Sequence, residues 1–421
     1  MRPSFGSAAG LALASRREPN TIRHDRLRMN GTRLTHCFTA LRSLGGVESY
    51  LRRHQTNDAK AGFDSRIVAL FEPLGTTTEA VHPIGLNWRD TIDSGRRKFR
   101  QHARAPWEGT ALYHNAWGLP FLADLDGAER RISMLHSDLP VLAQLLRSQD
   151  GLVDGSLCVS EPLKRQALAH CPTLSPERIV VVPCPITVPA SRPPQRPLQN
   201  RPLVLGFVGR IVREQKRVDR FPILCRHLRE AGIDFQFEFL GEGAERAWLE
   251  RQFATTTNIR FHGRKSGDEY WRILSSWDAI VYVSDYEGMP ISLLEAMSMG
   301  VLPVHPNIGT GGDAYASRVD SEFAYPPEDF KAVARLFARL RRMPPDEIDR
   351  LRACCRQLAS VHEGDGYERA FAAFIRQIGE MPRISVNGPT RRGFVWSDYL
   401  PFALVHRFYY GALFRRSELS V

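Results

Sequence analysis

The stretch Ala279–Gly300, which reads AIVYVSDYEGMPISLLEAMSMG, decides the fold of this chain. It opens with an apolar run, Ala279–Val283, of the kind found in buried parallel strands. After a short loop, Pro290 stands at the first position of a predicted helix, and Gly300 stands just past its end. The stretch therefore predicts a strand, a loop and a short buried helix, whose N-terminal amides form an anion site beyond the strand.

Two glutamates, separated by seven residues, flank the start of this predicted helix. Glu287 lies in the loop and, taken alone, is also consistent with a solvated side chain. Glu295 lies between Leu294 and Ala296 in a mostly apolar helix, where an unpaired carboxylate is costly. We therefore expect Glu295 to have a hydroxyl or amide partner, and a sugar or ribose is one source of such hydroxyls.

The segment EGMPISLLEAMSMGVLPV, residues 287–304, resembles the E-x7-E segment of family 4 retaining glycosyltransferases, which have the GT-B fold. The resemblance implies that Glu287 contacts the donor-sugar hydroxyls and that Glu295 contacts the donor ribose. It also implies that the backbone amides of Gly288 and Met289 lie near the donor diphosphate.

Composition and charge narrow the class of protein. The chain has 421 residues, 43% of them hydrophobic and 24% charged, which is ordinary for a globular protein of two domains. The net charge of +11 is concentrated at the ends, because residues 1–30 and residues 381–421 each hold six arginines and two acidic residues. A nucleic-acid-binding core is therefore not indicated.

The cysteines and the hydropathy pattern indicate the compartment. Seven cysteines without a C-x-x-C pair are typical of buried free thiols in a reducing compartment, and they make zinc improbable. No apolar run reaches the roughly eighteen residues that a spanning helix needs. We therefore expect a cytoplasmic protein without a zinc site.

Alternating strands and helices in two halves predict an α/β fold with two doubly wound, Rossmann-like domains facing a cleft, which is the GT-B arrangement. The predicted N-terminal acceptor domain covers residues 30–190, and the predicted nucleotide-sugar-binding domain covers residues 203–375. Residues 191–202 belong to a stretch with seven prolines, Pro183–Pro202, and are predicted to form the linker.

The two ends of the chain are predicted to lie outside these domains. Residues 1–29 lack hydrophobic periodicity and are interpreted as a disordered leader, with a signal peptide as the alternative. Residues 376–421 form a basic, aromatic tail, for which two interpretations stay open. The tail packs back on the N-terminal domain, or it forms an interfacial helix on anionic lipid.

The first half of the chain offers substrate-binding candidates after two predicted strands. Gly45 and Gly46 follow strand 33–38 and precede Glu48, and a plain tight turn would also explain them. The family carries a similar GG-x-E turn at the cleft, which implies that Gly45 and Gly46 bind substrate. His136 follows strand 131–135, where a histidine is often structural; the resemblance implies that it contacts the donor sugar.

The second half offers cations and glycines at strand ends. Gly209, Arg210 and Lys216 follow an apolar strand that begins at Leu203, and a basic surface loop is the plain alternative. The family has an arginine and a lysine at this spacing, which implies that Arg210 and Lys216 bind the nucleotide diphosphate. Later strands end in Gly241 and Gly263, in turns similar to those of the family.

Two short motifs qualify this interpretation. Family members place a glutamate shortly after a glycine pair, whereas Gly311 and Gly312 are followed here by Asp313 and no glutamate. Asp124 and Asp126 form a D-x-D motif, which elsewhere binds a metal. Here the surrounding residues favour a helix or loop rather than the strand that such a metal site needs.

The resemblance implies a glycosyltransferase that moves a hexosyl group from a nucleotide diphosphate sugar to an acceptor hydroxyl with retention, and that requires no metal or other cofactor. The expected acceptor is a saccharide or a lipid-linked molecule in polysaccharide or glycolipid biosynthesis, and no nucleic acid partner is expected. The alternatives are a GT-B nucleotide-sugar epimerase and a non-catalytic nucleotide-sugar-binding subunit.

The basic tail leads to a first testable prediction about membranes. Its five arginines beyond residue 390 should each contribute ~1 kcal/mol of attraction to an anionic bilayer surface; they are Arg391, Arg392, Arg407, Arg415 and Arg416. Sedimentation with liposomes should therefore show salt-sensitive binding to anionic vesicles and none to neutral ones. Equal binding to both, or to neither, would reject a peripheral membrane association.

Overall fold

The computed structural model describes residues 32–41, 46–75, 81–384, 399–402 and 404. Within this part of the chain, two parallel sheets are each flanked by helices. The predicted leader, Gly45 and most of the predicted tail lie outside the described residues.

The first sheet has seven strands in the order β3-β2-β1-β4-β5-β6-β7, and the second has six in the order β10-β9-β8-β11-β12-β13. The strands are β1 (Thr32–Phe38), β2 (Phe63–Ala69), β3 (Val81–Pro83), β4 (Thr110–His114), β5 (Arg130–Leu135), β6 (Gly155–Cys158), β7 (Ile179–Val181), β8 (Leu203–Val208), β9 (Phe235–Leu240), β10 (Ile259–Gly263), β11 (Ala279–Val281), β12 (Leu302–Pro306) and β13 (Ala324–Tyr325). In both sheets the strand order reverses beside the first strand, which is where ligands bind in folds of this kind.

The helices cover both faces of the sheets, as expected for strands that are apolar on both sides. They are α1 (Gly46–Asn57), α2 (Ile92–His102), α3 (Leu119–Asp126), α4 (Leu142–Gln149), α5 (Glu161–His170), α6 (Phe221–Glu230), α7 (Arg246–Gln252), α8 (Gly267–Leu274), α9 (Ile291–Ser298), α10 (Gly311–Val319), α11 (Phe330–Arg342), α12 (Pro345–Ala359) and α13 (Gly366–Glu380).

The chain crosses back to the first domain earlier than the predicted start of the tail at residue 376. Helix α13 begins at Gly366, so the predicted domain end at residue 375 falls inside it. Its aromatic side chains, Phe371 and Phe374, pack in one buried cluster with Leu34 of β1 and Leu112 of β4. Helix α13 therefore belongs to the core of the first domain.

The described part of the tail also packs on the first domain. Pro401 forms an isolated bridge with Thr91, just before α2. Phe402 is buried beside Gly95 of α2 and makes an edge contact with the Phe121 ring of α3. The interfacial-helix interpretation concerns residues 394–416, of which all but 399–402 and 404 lie outside the described residues.

The predicted linker, residues 191–202, forms neither a helix nor a strand, and it is held against the second domain. Leu198 is buried in the second core. The Gln195 side-chain amide donates to the carbonyl oxygens of Ser275 and Met299 at 2.9 and 3.1 Å. These contacts hold the linker against the second domain, directly before β8.

The cysteines and helices agree with the expectations drawn from composition. All seven cysteines are free, and six of them are buried, while Cys354 is half-buried. Among the described residues, no helix combines the length and the apolar character that a membrane crossing requires.

The D-x-D motif is part of the folded core. Both aspartates lie in α3, as the surrounding residues favoured. Asp124 is paired with the guanidinium of Arg96. Asp126 is fully buried, accepts a hydrogen bond from the Tyr113 hydroxyl at 2.6 Å and is paired with Arg131. Both carboxylates are therefore held in ion pairs within the first domain.

Removal of the Asp126 carboxylate should destabilise the first domain strongly. Asp126→Ala leaves the guanidinium of Arg131 buried without its carboxylate, which typically costs about 3–5 kcal/mol. Urea unfolding should show this loss, whereas the control Asp346→Ala, at an exposed position of α12, should change the free energy of unfolding by less than about 1 kcal/mol. Equal effects would contradict the structural role.

Candidate active site

The two domains meet where the loop after β5 runs antiparallel to the loop before α9. Ser137 and Gly288 form an isolated bridge, and the Asp138 N–H donates to the Glu287 carbonyl at 3.0 Å. A Cβ atom on residue 288 would lie 1.9 Å from the His136 carbonyl oxygen, so only glycine fits there. This joint brings His136 of the first domain to the E-x7-E segment of the second.

The central unit is a strand, a loop and a short helix, as predicted, but its boundaries differ. Strand β11 ends at Val281 rather than Val283, and Pro290 has extended backbone angles at the N-cap, so the helix begins at Ile291. The Met289 side chain packs in the core of the first domain. In the Ser137–Gly288 bridge the Met289 N–H faces the His136 carbonyl, whereas the Gly288 N–H has no backbone acceptor within the described residues.

Glu287 is buried and paired with Lys216, which excludes the solvated alternative. The Lys216 ammonium lies 2.5 Å from Glu287 Oε1, and the Ser284 hydroxyl donates to the same oxygen at 2.7 Å. The Gln215 side-chain amide approaches Glu287 Oε2 at 3.4 Å. A buried carboxylate needs such partners, and here they come from the loop after β8 and the loop after β11.

Arg210 is the exposed member of the same network. Its guanidinium donates to Gln215 Oε1 at 2.9 Å and forms no ion pair within the described part of the chain. Arg210, Gln215, Glu287 and Lys216 thus form one chain of polar contacts at the carboxyl ends of β8 and β11. Both cations predicted from the sequence are brought together, one neutralised by a carboxylate and one not.

Three predicted glycines lie side by side at the ends of β8, β9 and β10. The Gly209 N–H donates to Leu240 at 3.1 Å, and the Gly241 N–H donates to the Gly263 carbonyl at 2.9 Å. A Cβ atom on residue 241 would lie 1.9 Å from the Gly209 carbonyl oxygen. Glycine at 241 therefore lets the adjacent loops approach closely, and no side chain projects from this position beside Arg210 and Lys216.

Glu295 has the hydroxyl partner that its apolar surroundings predicted. The Tyr270 hydroxyl donates to Glu295 Oε2. Burial raises the pKa of Glu295 to about 7, although the hydrogen bond from Tyr270 acts in the opposite direction. Glu295 also lines a cavity of about 390 Å³ together with Tyr50 and Arg52 of α1. The carboxylate therefore lies in the cleft between the domains.

Gly46, the first residue of α1, faces the same cleft. Gly46 opens α1 and is exposed, and a Cβ atom there would lie 3.6 Å from Ile291 Cδ1 of α9. The structure thus brings Gly46 to the E-x7-E helix. Gly45 lies outside the described residues.

His136 is half-buried and lies at the end of a hydrogen-bonded series that continues through the buried His114 and His36. Its Nε2 lies 2.8 Å from His114 Nδ1, and His114 Nε2 lies 3.0 Å from His36 Nδ1. Burial lowers the pKa of His136 to about 3, and repulsion by His54 and His36 adds to the effect. His136 is therefore a neutral imidazole at physiological pH.

The segment that lacks the family glutamate is closed by a capping box. Asp313 accepts the Thr310 N–H at 2.6 Å and the Gly309 N–H at 3.1 Å at the start of α10. It also faces Asp138, whose pKa is raised by burial and by the negative charge of Asp313. The Asp313 carboxylate already accepts these backbone N–H groups, so it does not take the place of the glutamate that family members have after the glycine pair.

Potential metal ligands cluster at one place among the described residues: His36, His54 and Asp58, all buried. Asp58 Oδ2 lies 3.1 Å from His36 Nε2, and Asp58 Oδ1 lies 2.8 Å from His54 Nδ1. Direct hydrogen bonds account for these distances.

Several site residues were not predicted from the sequence. Ser284 and Gln215 hold Glu287, and Tyr270 holds Glu295. Gln215 and Tyr270 are distant from their partners in the sequence, and Ser284 lies in a loop without a recognisable motif. His54 and Asp58 have the i,i+4 spacing of a helical pair, which is a visible signal. The contact of Asp58 with His36 could be found only from the tertiary structure.

Comparisons with known proteins support this architecture. Residues 191–354 match the family model described as glycosyl transferases group 1. The chain is 29% identical over 157 residues to a lipopolysaccharide 1,6-galactosyltransferase of Salmonella typhimurium, covering 35% of this chain and 41% of that protein. It is 30% identical over 183 residues to a 2-deoxystreptamine glucosyltransferase of Streptomyces kanamyceticus, covering 42% and 46%. Both matches span less than half of the relative's own length.

Among solved structures, the lipopolysaccharide outer core galactosyltransferase WaaB in its apo form aligns with a TM-score of 0.60 and 16% identity. The alignment covers 82% of this chain and 99% of that one. At this identity the likeness concerns the fold, and it confirms the predicted GT-B architecture. For the second domain, the predicted resemblance is confirmed at the level of group 1 glycosyl transferases.

The raised pKa of Glu295 makes stability depend on pH. The folded state holds a proton on Glu295 up to about pH 7, whereas the ordinary pKa is 4.5. The free energy of unfolding should therefore fall as pH rises from about 4.5 to 7, with a slope of at most about 1.4 kcal/mol per pH unit from this group.

Urea unfolding of the wild type and Glu295→Gln over this pH range measures that contribution. The glutamine keeps a hydrogen-bonding partner for Tyr270 and does not titrate, so its curve should be flatter. Glu347→Gln, at an exposed position of α12, should keep the slope of the wild type. A Glu295→Gln curve parallel to that of the wild type would contradict the assignment.

Proposed function

We propose that the protein is a glycosyltransferase that moves a hexosyl group from a nucleoside diphosphate sugar to an acceptor hydroxyl. The observation that carries the proposal is the convergence of Arg210, Lys216 and Glu287 beside the Gly288 amide and the start of α9. Such an arrangement is suited to an anion that also carries hydroxyl groups, which is the chemistry of a sugar diphosphate. The group 1 family match over residues 191–354 supports the same conclusion.

The donor would lie along the carboxyl edge of the second sheet. Because Gly209, Gly241 and Gly263 carry no side chains, a nucleotide could lie directly against the backbone at this edge. Glu295 lies in the cleft cavity and would accept hydrogen bonds from the ribose, in exchange for the Tyr270 hydroxyl. Glu287, held by Lys216 and Ser284, and His136 would orient the sugar hydroxyls.

The catalytic role follows from where charge develops. As the glycosidic bond breaks, the leaving diphosphate gains negative charge, and preorganised cations and amides stabilise it most in the transition state. Arg210 has no carboxylate partner among the described residues and can turn to the diphosphate without breaking an ion pair. Lys216 remains shared with Glu287, which fixes its position.

The finer assignments rest on the family resemblance and on the relatives. We propose retention of the anomeric configuration, a reaction without a metal, and a saccharide or lipid-linked acceptor in polysaccharide or glycolipid synthesis. A cytoplasmic location, with peripheral contact at the membrane, fits these substrates. The names of the matched relatives, a lipopolysaccharide galactosyltransferase among them, favour cell-surface glycans.

The activity can be tested with a panel of nucleoside diphosphate sugars. Thermal shift should identify the donor, and NMR of the transfer product should report its anomeric configuration. EDTA should leave turnover unchanged. Loss of activity in EDTA that Mg²⁺ restores would reject the metal-free reaction, and a changed sugar formed without any acceptor would indicate an epimerase.

Arg210→Ala should lower kcat by roughly 10²–10³, the effect of removing one donor that stabilises developing charge. Because Arg210 is exposed, the variant should unfold at the same urea concentration as the wild type. Arg226→Ala, at an exposed position of α6, should keep kcat and serves as the matched control. A normal kcat for Arg210→Ala would remove Arg210 from the mechanism.

Lys216 and Glu287 need a variant that avoids a lone buried charge. Lys216→Ala alone would strand Glu287 and destabilise the fold by about 3–5 kcal/mol. The pair Lys216→Met with Glu287→Gln removes both charges, and it should lose turnover while remaining folded. Glu295→Ala should mainly weaken nucleotide binding, because a ribose contact is nearly equal in the ground and transition states.

A further inference from the structure

We propose that Asp58, acting through His36 and His114, fixes the tautomer of His136, so that Nε2 carries the hydrogen and Nδ1 is a bare acceptor for a substrate hydroxyl. Asp58, His36 and His114 are thus positioning residues for a group in the cleft. The substrate contact at Nδ1 rests on the proposed function, whereas the tautomer itself does not.

The proposal begins with an unbroken series of contacts through the first domain. Asp58 Oδ2 lies 3.1 Å from His36 Nε2, and His36 Nδ1 lies 3.0 Å from His114 Nε2. His114 Nδ1 lies 2.8 Å from His136 Nε2, and the two rings are parallel to within 1°. The series therefore uses both nitrogens of His36 and of His114 and ends on one nitrogen of His136.

The fold places these side chains in a row. His36 lies in β1, and His114 is the last residue of the neighbouring strand β4. His136 directly follows β5, which pairs with β4. The imidazoles thus lie near the carboxyl ends of three adjacent strands, and α1 with the turn after it brings Asp58 to the first of them.

The direction of donation follows from the chemistry of Asp58. An ionised carboxylate only accepts hydrogen bonds, so His36 must place its hydrogen on Nε2. In a neutral His36, Nδ1 is then bare and accepts from His114 Nε2–H. The same step repeats once, because the bare Nδ1 of His114 accepts from His136 Nε2–H. Nδ1 of His136 is left without a hydrogen.

Burial supports the charge states that this argument needs. His36, His114 and Asp58 are all buried. Burial alone would raise the pKa of Asp58, but hydrogen bonds from His36 and His54 outweigh it and hold the pKa well below its usual range. Burial lowers the pKa of His36 and, more strongly, that of His114. An ionised Asp58 with neutral imidazoles is the state expected at pH 7.

The other side of Asp58 provides an internal control. Asp58 Oδ1 accepts from His54 Nδ1–H at 2.8 Å, and the Tyr367 hydroxyl of α13 donates to His54 Nε2 at 2.6 Å. This branch touches the same carboxylate but leads away from His136. A change at Tyr367 should therefore perturb the buried network without altering the tautomer of His136.

The bare nitrogen has a consequence for substrate choice. His136 lies next to Gly288 at the joint between the domains, where the E-x7-E loop begins. A bare Nδ1 accepts a hydrogen bond from a sugar hydroxyl and offers nothing to a group that only accepts. A donor that lacks the hydroxyl facing His136 should therefore bind or react more weakly than its parent.

The test is ¹⁵N NMR of the full chain with ¹⁵N-labelled histidine at pH 7, which distinguishes ring nitrogens that carry hydrogen from bare ones. The His136 signals are assigned by their loss in His136→Gln. We expect the hydrogen of His136 on Nε2. A hydrogen on Nδ1 would overturn the proposal without any need for activity, so failure here is separable from failure of the proposed function.

Variants then test the control by Asp58. In Asp58→Asn the amide can donate as well as accept, so the single direction is lost and His136 should show both tautomers. In His114→Phe the acceptor of Nε2–H is missing, with the same expected result if Asp58→Asn does not fold. Tyr367→Phe should keep the wild-type tautomer. An unchanged tautomer in Asp58→Asn and in His114→Phe would overturn the proposal.

Activity and metal content complete the test. Once a donor is known, Asp58→Asn should lower kcat/KM by roughly 10–100-fold, the range found when the partner that orients a metal-ligating histidine is removed, and Tyr367→Phe should lower it much less. Metal analysis of the purified protein should find no equivalent of zinc. A zinc ion bound at His36 Nε2 would push the hydrogen to Nδ1 and reverse the series, which would also overturn the proposal.

Discussion

The rest of the site depends on the contact between Gly288 and the His136 carbonyl. No side chain fits between these two backbones, so the loop after β5 and the loop before α9 lie in direct contact. One side of this joint carries the histidine series, and the other carries Glu287 and the helix amides. A substrate at this joint would therefore contact both domains at once. Enclosure between two domains also excludes water from a reaction.

The charges on the two sides of the joint are arranged differently. On the second domain, the Lys216–Glu287 pair is held by short contacts, while Arg210 remains exposed and able to move. On the first domain, burial lowers the pKa of His36 and of His114, and the hydrogen-bonded series that they form ends at a single carboxylate, Asp58. Fixed dipoles on one side and a mobile cation on the other suit a ligand that gains charge during reaction.

Buried polar groups are costly unless every partner is present, and both networks meet this condition by combining distant parts of the chain. Tyr367, in a helix that follows the second domain in sequence, donates to His54, which shares Asp58 with the series that begins in β1. The return of α13 to the first domain is therefore more than a packing feature. It supplies a hydroxyl to the same network that orients His136.

Local pattern in the sequence by itself determined the two parallel sheets, most strand positions, the E-x7-E unit and the cations after β8, because periodicity and strand-end chemistry act over a few residues. It missed β3, α2 and β13, which are short or polar, and it placed the start of α9 one residue early. Only the tertiary structure decided that Gly288 meets His136, that Lys216 meets Glu287 and that Asp58 reaches His36. These partners stand 22 to 71 residues apart or lie in different domains, and strand order and domain docking, rather than local sequence, bring them together.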